Sequence, residues 1–378
     1  MRKARIAIIG AGLSGLYAAY VLQRKGVMDY VLLEAREAPG GRIVSVSPSS
    51  ELSAGQPGTS GRFDLGPSWF WPGYQRQLDQ VVQELALRRY EQYEIGDMIM
   101  ERSRDLPPTR TRGYVNSPPS MRLVGGMGAL IDALYSHLDK TRVCTGQTVR
   151  KVQRIGHGIE VESADAEGQI TTWNVDQLLL AMPPRLVQAT IVFSPPLPST
   201  LSRSWEATAT WMAPHAKYFA IFDTPFWREQ GLSGEGRSSV GPLVEIHDAS
   251  IPQGSAGLFG FLGVPATLRK ALPESDLRSL CHAQLIRMFG PQAGTPKTEF
   301  LKDWAAERFT STSADLAITS QQGVAPSPIA DFGPWSDCMI GVGSEWSPQF
   351  PGYVAGAIDA VSRGLLRLTF DQNEVVQP

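Results

Sequence analysis

Cysteine is scarce in this 378-residue chain, and the three that occur, Cys144, Cys281 and Cys338, stand far apart. An odd, scattered set builds neither a disulfide framework nor a thiolate metal site, and a reduced, cytoplasmic protein is the expectation. An excess of charge is lacking too. The formal net charge is -2, so nothing electrostatic recommends nucleic acid or an anionic membrane as a partner. Beyond the N-terminal region no stretch of about 18 uninterrupted apolar residues occurs, which removes the usual membrane-spanning helix. The tail "RLTFDQNEVVQP" is too short and polar to serve as an anchor, and there are no internal repeats. What remains is ordinary globular composition, 42% hydrophobic and 19% charged, over a length that suggests about two domains.

Glycine is present where it carries information. The opening "MRKARIAIIGAGLSGLYAAYVL" has the basic start and apolar run of a signal peptide, but its glycines fall where a dinucleotide fold needs them. "RIAIIG" reads as a buried strand, and a helix with apolar periodicity follows. Gly10, Gly12 and Gly15 lie between and within them in G-x-G-x-x-G spacing. The first glycine permits a tight turn, the second lets backbone approach a pyrophosphate, and the third lets helix and strand pack closely. The helix N-terminus then offers unpaired N–H groups to the phosphates. A second strand, "DYVLLEA", ends at Glu34, 19 residues after Gly15, where a carboxylate can take both hydroxyls of an adenosine ribose. Just beyond, "EAREAPGGRI" supplies Arg36, Gly40, Gly41 and Arg42. Two glycines let the chain pass close to a diphosphate that the arginine can neutralise. A nicotinamide dinucleotide does not need this second clamp.

Other stretches read as structure. "PESDLRSLCHAQLIRMF" is a helix whose apolar stripe contains Leu277, Cys281, Leu285 and Met288, so Cys281 is core and not the partner of adjacent His282. "VSPSSELSAGQPGTSG", "SRDLPPTRTRGYVNSPPS" and "GLSGEGRSSVG" are rich in Gly, Pro and Ser and read as loops. "AKYFAIF", residues 216–222, reads as a strand core, with Lys217 on the face of Phe219 and Ile221. By itself a lysine there is a snorkelling or edge-blunting residue.

From the second glycine clamp onward the chain resembles the flavin-containing monoamine oxidase family, through segments that recur in order. "FDLGPSWFWPGYQ", holding Gly66 and Ser68, resembles the segment that passes beside the flavin ring, with Pro67 in place of a second glycine. "MRLVGGMGALIDAL" resembles the turn that re-enters the FAD domain, and "TVRKVQRIGHGIEV" the hairpin whose Val149 contacts adenine through its backbone. "LLLAMPPRLVQATIVFSPPLP" resembles the exit strand and its crossover. "MIGVGSEWSPQFPGYVAGAIDAVSRGLLRL" resembles the segment whose glutamate, here Glu345, meets the ribityl or phosphate region. Its helix N-terminus, around Val354, points at the pyrimidine end of the flavin, where a positive dipole end stabilises the reduced anion. Trp346 stands where the family usually has threonine. Trp304 is implied to pack near the flavin.

The resemblance implies an α/β fold: a Rossmann-type, glutathione-reductase-like FAD-binding domain with a discontinuous α+β substrate domain built on a mixed sheet. The FAD domain is expected at 1–74, 122–195 and 308–378, and the substrate domain at 75–121 and 196–307. The segment between the flavin-side aspartate and Gly125 is shorter than in typical relatives, so the pocket is expected to be more open, or roofed by another subunit as in a homodimer. The implied activity is oxidation of a neutral amine at its α-carbon by non-covalently held FAD, with O2 as acceptor and H2O2 as product. No cysteine stands at the family's linking position. Tyr353 takes the place of one tyrosine of the aromatic pair flanking the substrate nitrogen. The second is expected near "WAAERFTSTSADL", where no aromatic follows Phe309 at the right place. Lys217 stands ten residues before Trp227 and five after Met212, matching the family lysine that holds a water beside flavin N5. Two other readings stay open: oxidation of C–C or ring C–N bonds on the same scaffold, and an FAD-stabilised binding protein without turnover.

Overall fold

A computed structural model describes residues 2–48, 61–316 and 324–368. Most of the first loop-like stretch and the end of the C-terminal tail lie outside the described residues. Five parallel strands form the first sheet, in the order Val143–Cys144, Tyr30–Leu33, Ile6–Ile9, Gln177–Leu180, Met339–Gly341. Its three central strands are apolar almost throughout because both faces are covered. Ile6, Ile8, Leu32 and Leu179 pack under the helices Leu13–Arg24, Gly128–Ser136 and Val354–Leu365. Ala7, Ile9, Val31, Leu33 and Leu178 face the other way, onto Val152, Val161 and Trp173 of a second five-stranded sheet. The expected hairpin, Thr148–Ile155 with Gly158–Ala164, is part of that second sheet.

A third, seven-stranded sheet runs Thr298–Asp303, Ala216–Phe222, Ala256–Leu262, Leu243–Asp248, Leu232–Ser238, Asp97–Glu101, Thr109–Arg112. It is mixed, as expected: its pairings are antiparallel except between Leu232–Ser238 and Asp97–Glu101. Tyr218, Ile246 and Leu258 pack on one face against the helix Glu274–Phe289, which buries Cys281 as predicted. Phe219, Ile221 and Phe259 pack on the other face against Phe63 and Leu65.

Two of the stretches read as loops are corrected here. "GLSGEGRSSVG" contains an interior strand, and "SRDLPPTRTRGYVNSPPS" contains an edge strand. Glycine in the first reflects crowding: a Cβ on Gly236 would lie 2.9 Å from Cε of Met288. The chain gives up side chains there so that a helix can approach. Among the described residues no helix is long and apolar enough to cross a membrane.

Candidate active site

A cavity of about 550 Å³ opens along the C-terminal edge of the parallel sheet and reaches the third sheet, with Glu34 and Val149 in one part of its wall and Lys217 and Tyr353 in another. The crevice beyond the carboxyl ends of parallel strands is where α/β folds bind ligands. Glu34 follows its strand directly and is buried. One carboxylate oxygen accepts the Ala11 N–H at 2.7 Å and the other the Arg36 N–H at 2.9 Å. Two backbone donors therefore fix its orientation, with lone pairs left for a ligand.

The three glycines of the first turn serve different needs. Gly10 has φ +100°, which only glycine adopts readily. A Cβ on Gly15 would lie 1.9 Å from the Gly10 carbonyl oxygen. Gly12 has an ordinary φ of -71°, and its Cβ would meet nothing nearer than Gly41 Cα at 3.8 Å. Packing within the chain does not require glycine at 12. The bare backbone of Gly12 and Gly41 lines the cavity, a cradle that suits a pyrophosphate and that a side chain would fill.

Arg36 donates to Thr310 Oγ1 at 3.0 Å, and its guanidinium lies over the Phe309 ring. Arg42 and Glu345, distant in sequence, meet as an ion pair with a 3.0 Å Nη2–Oε2 contact, and Ser344 Oγ accepts from the same nitrogen at 3.1 Å. Burial opposes the Arg42 charge, but Glu345 more than compensates and the guanidinium pKa is raised. Gly66, Ser68, Val149, Trp304 and Val354 all line the cavity. Trp304 donates its indole N–H to the Leu65 carbonyl at 3.0 Å, and Val354 begins the last helix. Two expected contact residues stand back from the wall. Gly15 is used for helix–strand packing, and the Glu345 carboxylate is occupied behind Arg42.

Lys217 lies in an interior strand and is 4% exposed, so the edge-blunting role does not apply. Its ammonium donates to the Gly66 carbonyl at 2.5 Å and to Ser68 Oγ at 3.0 Å, with the Asp64 carbonyl at 3.5 Å. The Phe259 and Phe261 rings lie 4.6 and 5.1 Å away. Burial pulls its pKa down to about 7, Asp64 resists the shift and Arg122 adds to it. Burial raises the Asp64 pKa, against the pull of Arg122, Ser45, the Met127 N–H and Lys217.

Among the wall residues that the sequence did not point to are Trp211 and His215. The Trp211 ring lies 6.2 Å from the Tyr353 ring, tilted by 33°. The aromatic companion of Tyr353 thus comes from the turn before the Lys217 strand, while Phe309 serves Arg36. The clue was local: Trp211 precedes Met212, the residue already matched by its spacing to Lys217.

The sheet order, the glycine cradle and the oriented carboxylate define a dinucleotide-binding α/β protein. Residues 8–85 match the model of an NAD(P)-binding Rossmann-like domain. Residues 109–360 match that of the flavin containing amine oxidoreductases, and the chain belongs to that family. It is 26% identical over 267 residues to the flavin-containing amine oxidase B of Sus scrofa, covering 68% of this chain and 48% of that protein. It is 26% identical over 261 residues to an L-amino acid dehydrogenase of Synechocystis, covering 67% and 52%. The chain spans about half the length of these curated relatives. Among solved structures, a putrescine oxidase double mutant matches with a TM-score of 0.75 at 19% identity, over 97% of this chain and 99% of that one. Cyclohexylamine oxidase of Brevibacterium oxydans matches with a TM-score of 0.75 at 18% identity, over 96% and 98%. At such identities these two likenesses speak for the fold.

Proposed function

We propose that the chain is an FAD-dependent amine oxidase acting on an amine with an apolar body and no second cationic group. The observation that carries the reading is Lys217, a buried amine donating only to oxygens of the Asp64–Ser68 segment at the wall of a cavity that can hold a dinucleotide. FAD fits that cavity because Gly12 and Gly41 offer it bare backbone. When bound, FAD supplies the acceptor for the hydride equivalents of the amine α-carbon and passes them to O2, giving H2O2 and an imine that hydrolyses.

The residues of the chain do the holding. Glu34 takes the adenosine ribose, the Val149 backbone meets adenine, and residues 10–12 with Gly41 take the diphosphate. Arg36 and Arg42 supply positive charge, and Gly66, Ser68, Trp304 and Val354 line the flavin end. Tyr353 and Trp211 orient the amine, and Trp69, Trp71 and Phe261 keep its surroundings apolar. Among the described lining residues the one acid is Glu34, already committed to two backbone donors. A second ammonium on the substrate finds no counter-charge. Lys217, when protonated, stabilises negative charge developing on oxygen and orients a water for proton transfer.

None of the three cysteines lines the cavity, which supports non-covalent FAD, and all three are free thiols, as a reduced, cytoplasmic setting would keep them. The lobes are assigned as 1–74, 122–195 and 308–378 for FAD and 75–121 with 196–307 for substrate. Anaerobic mixing of the yellow protein with aryl- and alkylmonoamines, diamines, polyamines and L-amino acids tests the proposal. Monoamines should bleach the flavin, and air should restore the colour with H2O2. A flavin that no amine bleaches would refute the reading.

A further inference from the structure

His215 stands two residues before Lys217, between the turn at 211–214 and the strand Ala216–Phe222, and both residues line the cavity. Its carbonyl accepts the Trp304 N–H at 3.0 Å, which fixes its place. Its ring lies 6.5 Å from that of Trp211, the companion of Tyr353. The two ring nitrogens differ. Nδ1 is enclosed by protein and has no hydrogen-bond partner. Nε2 is not enclosed, and no described group of the chain bonds to it. With the proton on Nδ1, the Nε2 lone pair is free to accept another.

The chemistry of the proposed substrate calls for such a group, and this inference rests on the amine reading above. An alkylamine in water near neutral pH is an ammonium ion, as lysine is, whereas oxidation at the α-carbon needs the nitrogen lone pair. The wall around Lys217 and Tyr353 has no carboxylate to hold an ammonium among its described residues. The ammonium must therefore give up its proton there. Burial and then Arg269 keep His215 below its ordinary pKa, against the Met212 carbonyl, so the ring is neutral at neutral pH. The charged and titratable groups around it are Arg269, paired with Asp303 across the Pro214 carbonyl, then Lys217, Tyr353 and Arg308 along the cavity wall. Burial affects substrate and imidazole alike, and the compact, unpaired ammonium loses more hydration than the ring.

We infer that His215 is the base that neutralises the substrate: an N–H bond of the incoming ammonium breaks, the proton bonds to Nε2, and the amine keeps the electron pair. Two measurements on the flavin-loaded protein test this. In the first, an arylalkylamine reduces the flavin anaerobically at a series of pH values. His215→Gln should reduce roughly a hundredfold more slowly than the wild type near neutral pH, and should approach the wild-type rate above the pKa of the free amine. In the second, 2-phenylpropan-2-amine, which has no α-hydrogen, is bound calorimetrically in buffers of different ionisation enthalpy. In the complex the lone pair of the neutralised amine accepts from Nε2–H and holds the proton on the ring, so the wild type should release no proton to the buffer, and His215→Gln about one per amine bound. Wild-type pH dependence in His215→Gln, or proton release already in the wild type, overturns the inference while leaving amine oxidation intact. A wild type that no amine reduces overturns both. Should His215→Gln lose its flavin, His215→Asn carries the same two measurements.

Discussion

Gly12 and Gly15 are interchangeable letters of one motif, yet different forces hold them. A Cβ at 15 collides with the Gly10 carbonyl, whereas a Cβ at 12 enters the cavity. Gly15→Ala should therefore destabilise the fold by about 1–3 kcal/mol or more through overpacking. Gly12→Val should stay within about 1 kcal/mol of the parent and lose bound flavin. Denaturant midpoints and flavin-to-protein absorbance ratios, measured on both variants, check the contrast. Lys217 permits a second pair of expectations. Lys217→Met should keep the fold and the flavin but slow reoxidation by O2, read by stopped-flow mixing of the reduced protein with oxygen. Its pKa of about 7 in the folded chain lies below the 10.5 of an ordinary lysine, so between those values the unfolded chain binds more protons than the folded one. Stability contributed by this residue accordingly rises with pH across that window. The flavin-free Lys217→Met protein should be more stable than the wild type below pH 7, with the difference closing as the pH climbs toward 10.5.

At the scale of the element, the strand Leu232–Ser238 and the last helix carry the lesson. Gly236 lies under Met288 and beside Ile246, where a Cβ would lie 2.9 and 3.4 Å from their atoms. Gly236→Val should cost about 1–3 kcal/mol and leave the flavin spectrum of the folded fraction unchanged, measured by urea unfolding. The helix Val354–Leu365 is entered through Tyr353, its N-cap, with Gly352 at φ +80° turning the chain into it. A Cβ on Gly352 would lie 2.4 Å from Trp211 Cβ, so the turn and the aromatic pair are fixed together. Tyr353→Ala should retain FAD and lower turnover of the best amine by raising KM as well as reducing kcat, because one of the two rings proposed to orient the substrate is gone.

For the whole molecule, the cavity draws its wall from all parts of the chain, from Ile9 to Ala357. A ligand held there bridges segments that unfold apart, and it stabilises the folded state alone. FAD should therefore raise the thermal midpoint of the flavin-free protein in a concentration-dependent way, adding about 2.7 kcal/mol of stability at a hundredfold excess over its dissociation constant. Acid precipitation should release the yellow cofactor into the supernatant. A pellet that keeps its colour would mean a covalent link.

The nucleotide half was legible because it is local. Strand, glycine turn, helix, strand and acid occupy 29 positions from Ile6 to Glu34, and backbone sterics with apolar periodicity specify them without help from elsewhere. The Lys217 strand was legible for the same reason, but alternation left the lysine an ordinary edge or snorkelling residue, and its place at the site came from the spacing to Met212 and Trp227 that resembles the family. Only tertiary structure decided what depends on distant chain. It set Glu345 behind Arg42 and made a Gly- and Ser-rich stretch into an interior strand under a helix. It also brought Trp211 to Tyr353 and set His215 in the wall of the cavity. Each of those outcomes comes from packing or pairing between residues far apart in sequence, and neither propensity nor periodicity encodes such a contact.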